Sequence, residues 1–118
     1  MGLLQQGKWV DQWYETDNSG GAFRRQESRF RSWLTPNGEP GPNGEPGFKA
    51  EKGRYRLYVS LACPWAHRTL IFRHLKQLED YIDVTVVEPI MLENGWEMND
   101  PLYDLDFLYQ LYLKADAN

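Results

Sequence analysis

Cys63 is the residue whose type and setting could supply a covalent nucleophile. It lies in the run Cys63, Pro64, Trp65, Ala66, His67, Arg68, where an apolar strand should give way to a helix. Proline holds φ near the helical value and lacks an N–H, so it suits the first helical position and leaves Cys63 as the cap residue. A thiol there faces backbone N–H groups without partners. The partial positive charge of a helix start favours the thiolate, the form that attacks sulfur. A lone cysteine is also commonly a small buried hydrophobe. The proline after it, the pair His67 and Arg68 one turn on, and the strand before it argue for a reactive thiol instead. A dithiol redox motif would need a second cysteine where Ala66 stands, and the chain has one cysteine. Chemistry at Cys63 must therefore run through a mixed disulfide with an external thiol.

The elements that must position this thiol can be read on either side of it. Arg54 to Ser60 alternates, with Tyr55, Leu57 and Val59 on one face and Arg56 and Tyr58 on the other, which predicts a strand. From Pro64 to about Leu78 the apolar residues Leu70, Ile71, Leu75 and Leu78 recur at helical spacing, predicting an amphipathic helix packed on that strand. Ile82 to Val87 is continuous and β-branched, as expected of a buried parallel strand that Pro89 ends. Together these predict an α/β fold built on a βαβ unit with a right-handed crossover. Asn94 and Gly95 predict a turn before Trp96. Asp104 to Ala115 predicts a last helix carrying Leu105, Leu108, Tyr109, Leu111 and Tyr112.

The first 52 residues read as a long irregular N-terminal arm, in which Trp9, Trp13 and Tyr14 are packing pegs and Asn18 to Gly21 a turn. Ser28 to Leu34 predicts a short helix with Phe30, Trp33 and Leu34 on one face. Residues 36–47 are a direct repeat, PNGEPG twice over, with glycine at 38, 41, 44 and 47. So few triplets cannot nucleate a collagen helix, and the segment reads as a Gly/Pro surface loop of extended polyproline character.

Composition limits the function classes. In 118 residues, 42% hydrophobic, there is room for one domain with a modest core. A net charge of −4 without a basic stripe argues against nucleic acid. No run reaches the ~18 apolar residues of a membrane span. The start MGLLQQGKWV lacks the features of a secretory signal, and Gln6 stands where a myristoylation signal wants Ser or Thr. A single cysteine fits a reducing, cytoplasmic compartment. Two parallel strands with open edges would be marginal alone, so the chain reads as part of a longer protein.

Strand, Cys-Pro at a helix start, helix and parallel strand resemble the opening of the thioredoxin-like fold, as in the N-terminal half of a glutathione transferase. The runs SLACPWAHRT (Ser60 to Thr69), MLENGW (Met91 to Trp96), LYQLYLKAD (Leu108 to Asp116) and GGAFRRQESRFRSWL (Gly20 to Leu34) narrow the likeness. They resemble the glutathionyl-hydroquinone reductases, the Xi class of glutathione transferases, over nearly the whole chain.

The resemblance implies an incomplete thioredoxin-like domain at 53–118, an arm at 1–52, and glutathione as co-substrate with no metal. It implies glutathionyl-hydroquinones as substrates, Cys63 as nucleophile, and Trp96 and Pro64 at the glutathione site. It also implies a homodimer for the full-length protein. The lesser alternative for Trp96 is a packing tryptophan, and His67 and Arg68 stay outside the catalytic set. The family continues into a cis-proline strand, a Glu-Ser pair that grips glutathione, and an all-helical domain supplying most of the hydroquinone pocket. None of these is in this chain. The stretch Glu97 to Asp106 is shorter than usual for the family. The alternative is a non-catalytic, truncated thioredoxin-like module that binds glutathione weakly or not at all.

Overall fold

The protein is described by a computed structural model that covers residues 2–13, 17–22 and 27–117. Tyr14 and residues 23–26 of the arm's GGAFRRQESRFRSWL run lie outside the described residues. At the N-terminus, β1 (Leu3–Gln5) and β2 (Lys8–Val10) pair antiparallel, with Leu4 opposite Trp9. The turn is Gln6 and Gly7, both at positive φ, 50° and 76°. That geometry matches the twist of the strands it joins. The segment expected to be irregular thus begins with a regular hairpin. Its signal, three residues on either side of Gln-Gly, is too short to stand out in the sequence.

A 3-10 turn follows at Asp17–Ser19. The helix expected over Ser28 to Leu34 does not form. The chain there is extended, and β3 (Leu34–Thr35) pairs in parallel with β4 (Phe48–Lys49). Phe30 and Trp33 are exposed, so a helix there would have had no surface on which to bury its apolar face, and short helices without packing are marginal. The repeat forms the loop between β3 and β4, and both copies close in the same way. Asn37 Oδ1 accepts from Glu39 N and Asn43 Oδ1 from Glu45 N, two residues on each time. Gly38 and Gly44 sit at φ 85° and 77°. Those positive values make tandem turns of the repeat, whereas polyproline helix needs φ near −75° throughout.

The centre of the fold is β5 (Tyr55–Ser60), α1 (Pro64–Leu75) and β6 (Ile82–Val87). β5 and β6 are parallel and in register from Tyr55 opposite Ile82 to Ser60 opposite Val87. This is the predicted βαβ unit. α1 stops earlier than its apolar pattern suggests. Gln77 takes φ 54°, and the amides of Leu78 and Gln77 turn back to the carbonyls of Arg73 and His74. These are the two bonds of a Schellman ending, made here without glycine. Leu78 therefore belongs to the cap and not to the helix face.

α1 also packs differently from its pattern. Its half-buried line is Ala66, Leu70 and Arg73, while Trp65, Phe72 and Leu75 are 63%, 62% and 66% exposed. A two-stranded sheet is wide enough to cover only one line of a helix. Arg73 fastens that line, donating from Nε to Ile82 O at 2.8 Å and from its terminal nitrogen to Glu79 O at 3.1 Å.

The core instead lies beyond β6. There β7 (Met91–Leu92) and β8 (Gly95–Trp96) make a tight hairpin about Glu93 and Asn94, followed by α2 (Leu108–Ala115). Val87, Met98 and Leu108 are buried together, with Tyr58, Trp96, Leu105 and Leu111 packed around them. α2 begins at Leu108 and not at Asp104, whose φ of 54° is not helical. Gln110 Oε1 caps it by accepting from Phe107 N at 2.9 Å and Asp106 N at 3.1 Å. No helix among the described residues is long and apolar enough to cross a membrane.

Candidate functional site

The turn from β5 into α1 is closed by Cys63 N donating to Ser60 O at 3.1 Å, while the buried Ser60 Oγ accepts from Ala62 N. Cys63 is half-buried, with extended backbone (φ −91°, ψ 117°), and is the N-cap of α1 with Pro64 behind it. Its carbonyl accepts the first helical bond, from His67 N at 3.0 Å. Its side chain makes no capping hydrogen bond. The amides of Trp65 and Ala66, which a cap side chain would ordinarily satisfy, thus receive no side-chain hydrogen bond from Cys63.

His67 is exposed on α1, and the Arg68 guanidinium lies over the Trp65 ring at 4.7 Å. Arg68 is thereby committed to an aromatic face. Trp96, on β8, is half-buried against the core and lines a cavity with Tyr112. Packing and cavity-lining are both true of it. Pro64 is exposed at the helix start.

The residue that sequence reading missed is Tyr112. Its phenol is raised above the ordinary tyrosine range, first by desolvation and second by the charge of Cys63. α2 thus carries a neutral hydroxyl into the field of the thiol. Tyr112 links the two sequence-predicted positions, sharing a cavity with Trp96 and an electrostatic interaction with Cys63. In the sequence it was one more member of an apolar stripe, and nothing local to it points to Cys63.

The β8–α2 loop sets where this helix stands. Met98 N donates to Asp106 O, Glu97 bridges Phe107, and Glu88 N donates to Glu97 O. Tyr58 donates its hydroxyl to Asp100 Oδ1 at 2.9 Å, tying the loop to β5. Among the described residues there is no cluster of three or more His, Cys, Asp or Glu that could hold a metal ion.

No family model matches the chain. The glutathionyl-hydroquinone reductase YqjG of Escherichia coli is 60% identical over all of this chain, which covers 38% of that protein. The glutathione-bound structure of YqjG, a glutathione transferase homologue from Escherichia coli K-12, matches 75% of this chain and 31% of its own at TM-score 0.70 and 62% identity. A Xi-class glutathione transferase from Natrialba magadii matches the whole chain and 35% of its own at TM-score 0.75 and 41% identity. The chain spans between a fifth and two fifths of the length of the curated relatives it matches, 38% of YqjG and 20% of a glutathione S-transferase omega-like 3 of Saccharomyces cerevisiae. The structural likeness makes the βαβ unit part of a thioredoxin-like domain.

Proposed function

Because the chain belongs to the glutathionyl-hydroquinone reductases, the Xi class of glutathione transferases, we propose that it carries the thiol chemistry of a glutathione-dependent reductase that removes glutathione from glutathionyl-hydroquinones. The Cys63 thiolate attacks the glutathionyl sulfur. A sulfur–sulfur bond forms, the sulfur–ring bond breaks, and the ring carbon takes a proton, so the free hydroquinone leaves. The thiolate of a second glutathione then attacks the mixed disulfide, releasing oxidised glutathione and returning the electron pair to Cys63. The ring carbon is reduced and two glutathione sulfurs are oxidised, so the cycle balances with glutathione alone.

The observation that carries this reading is Cys63 at the N-cap of α1 with its side chain unused by the cap. Pro64 sets the helix start, and the amides of Trp65 and Ala66 are placed to stabilise negative charge on sulfur. Trp96 walls the glutathione sulfur. These groups fit the sulfur end of the tripeptide. With the reading come residues 53–118 as part of a thioredoxin-like domain behind the arm 1–52, a cytoplasmic location, and a homodimer for the longer protein.

The test is mass spectrometry of the chain after exposure to a glutathionyl-hydroquinone. A glutathione adduct on Cys63 that excess glutathione removes is expected, with none in Cys63→Ser. No adduct, or turnover retained in Cys63→Ser, overturns the reading.

A second reading has its own observation: α1 buries none of its residues. A helix so lightly packed favours a module that binds glutathione weakly and turns nothing over. Hydrogen exchange, below, separates the two.

A further inference from the structure

Asparagine is followed by glycine at Asn37-Gly38, Asn43-Gly44 and Asn94-Gly95. Glycine has no Cβ to hinder its own peptide nitrogen, so that nitrogen can attack the preceding side-chain carbonyl carbon and close a cyclic imide. In an unfolded chain all three are open to this. The first two stand inside identical PNGEPG copies, so a difference between them must come from the fold.

Both copies share the geometry that favours the attack. Asn37 Oδ1 accepts from Glu39 N at 3.5 Å and Asn43 Oδ1 from Glu45 N at 3.3 Å, which draws each side-chain amide round onto the peptide that follows it. The same donor faces the oxygen on which negative charge develops. Both asparagines are exposed, so water and base reach either side chain.

What differs is how the nucleophile and the leaving amide are tied. Gly44 N donates to Gly41 O at 3.0 Å, and Asn43 Nδ2 donates to Arg31 O at 2.7 Å. The attacking nitrogen of the second copy must give up one hydrogen bond to lose its proton, and the amide must give up another to leave. Among the described residues, no hydrogen bond holds Gly38 N or Asn37 Nδ2. Gly38 is half-buried beside Lys49 and Gly44 is open. Half-burial slows the approach of base but leaves no bond to break, so the two ties decide the order. The third site is shielded: Gly95 is buried, pairs with Leu92 to close the β7–β8 hairpin, and lies against the Trp9 ring.

We propose that Asn37 is a site of spontaneous modification, converting to aspartate and isoaspartate through a cyclic imide ahead of Asn43 and Asn94. Gly38 N loses its proton to base and bonds to Asn37 Cγ. The Cγ–Nδ2 bond then breaks, and Nδ2 takes a proton and leaves as ammonia. Water opens the ring: attack at Cγ gives aspartate, and attack at the main-chain carbonyl carbon of residue 37 gives isoaspartate, with the chain rerouted through Cβ. Each event consumes one water and releases one ammonia, without oxidation or reduction. Either product adds a negative charge to the β3–β4 loop, and isoaspartate also lengthens its backbone by a carbon. The inference is independent of the thiol chemistry.

The test is incubation of the 118-residue chain in mildly alkaline buffer, with and without urea, followed by peptide mass spectrometry with electron-transfer fragmentation, which separates aspartate from isoaspartate. In the folded chain the mass gain of amide-to-acid exchange should appear at Asn37 about tenfold faster than at Asn43, as two hydrogen bonds of modest net worth imply. Asn94 should stay unchanged over that time. In urea the rates at Asn37 and Asn43 should converge, because their local sequences match. Equal rates in the folded chain, faster conversion at Asn43, a ratio that persists in urea, or a product at Asn37 without isoaspartate overturns the proposal.

Discussion

Tyr58 on β5 donates its hydroxyl to Asp100 at 2.9 Å, and the same carboxylate accepts from the amides of Leu102 and Tyr103 at 3.1 and 2.9 Å. Asp100 is only 5% exposed, so one buried carboxylate joins the central strand to the loop that leads into α2. Burial and the bond to Asp100 push the Tyr58 phenol up to about 12. Burial works against Asp100 ionising, but its hydrogen bonds with Leu102, Tyr58, Tyr103 and Leu105 together hold it below the usual carboxylate range.

The signs of these two shifts define a pH window. The raised Tyr58 contributes stability that is complete below pH 10 and lost as pH rises toward 12. The lowered Asp100 contributes stability that is present above its unfolded value of 3.8 and lost as pH falls below it. Stability should therefore be flat across neutral pH and fall at both ends. Tyr58→Phe should remove the alkaline limb that comes from this pair and cost about 1 kcal/mol at neutral pH. Denaturant melts of both proteins at pH 7 and 11 check this.

Tyr112 makes a prediction about its own phenol. Desolvation first and the charge of Cys63 second hold it neutral beyond the ordinary tyrosine range. Cys63→Ser removes the second cause, so the phenol should ionise at lower pH in that variant than in the native chain, read from the Tyr112 ring signals in an alkaline NMR titration. Identical titrations would show that the sulfur does not influence the phenol.

Gly95 tests the hairpin wall. Alanine there meets both a positive φ and the Trp9 ring. Gly95→Ala should cost about 1–2 kcal/mol, as expected of an L-residue forced into the left-handed region. It should also shift the Trp9 indole N–H, because the ring must move away from β8. A variant with native stability and an unshifted Trp9 signal would contradict this packing.

Hydrogen exchange separates the catalytic from the non-catalytic module. If the core of Val87, Met98 and Leu108 holds the chain together, protection should reach Leu111 on α2. Protection confined to residues 54–87 would instead leave Tyr112 without a fixed place opposite Cys63 and support the non-catalytic reading.

Much of the central unit was legible because its signals are local. Alternation in Tyr55 to Ser60, a β-branched run in Ile82 to Val87 and Cys-Pro between them each specify one element, and together they specify βαβ with Cys63 at a helix start. The asparagines of the repeat likewise set turns within a few residues of themselves. Element ends were less legible, since Gln77 and Asp104 adopt positive φ without being glycine.

What the tertiary structure decided is what meets across distance. The hairpin at Gln6-Gly7 is worth little until Trp9 lies on Tyr109 and Gly95, and α1 exposes Phe72 and Leu75 because the sheet beside it is two strands wide. The sequence by itself determined that one thiol sits at a helix start and that these 118 residues hold no second cysteine beside it. That Tyr112 feels the charge of this thiol and lines a cavity with Trp96 depended on how the β8–α2 loop folds back through Asp100. Such contacts are set by packing free energy summed over residues far apart in the chain, which no local pattern records.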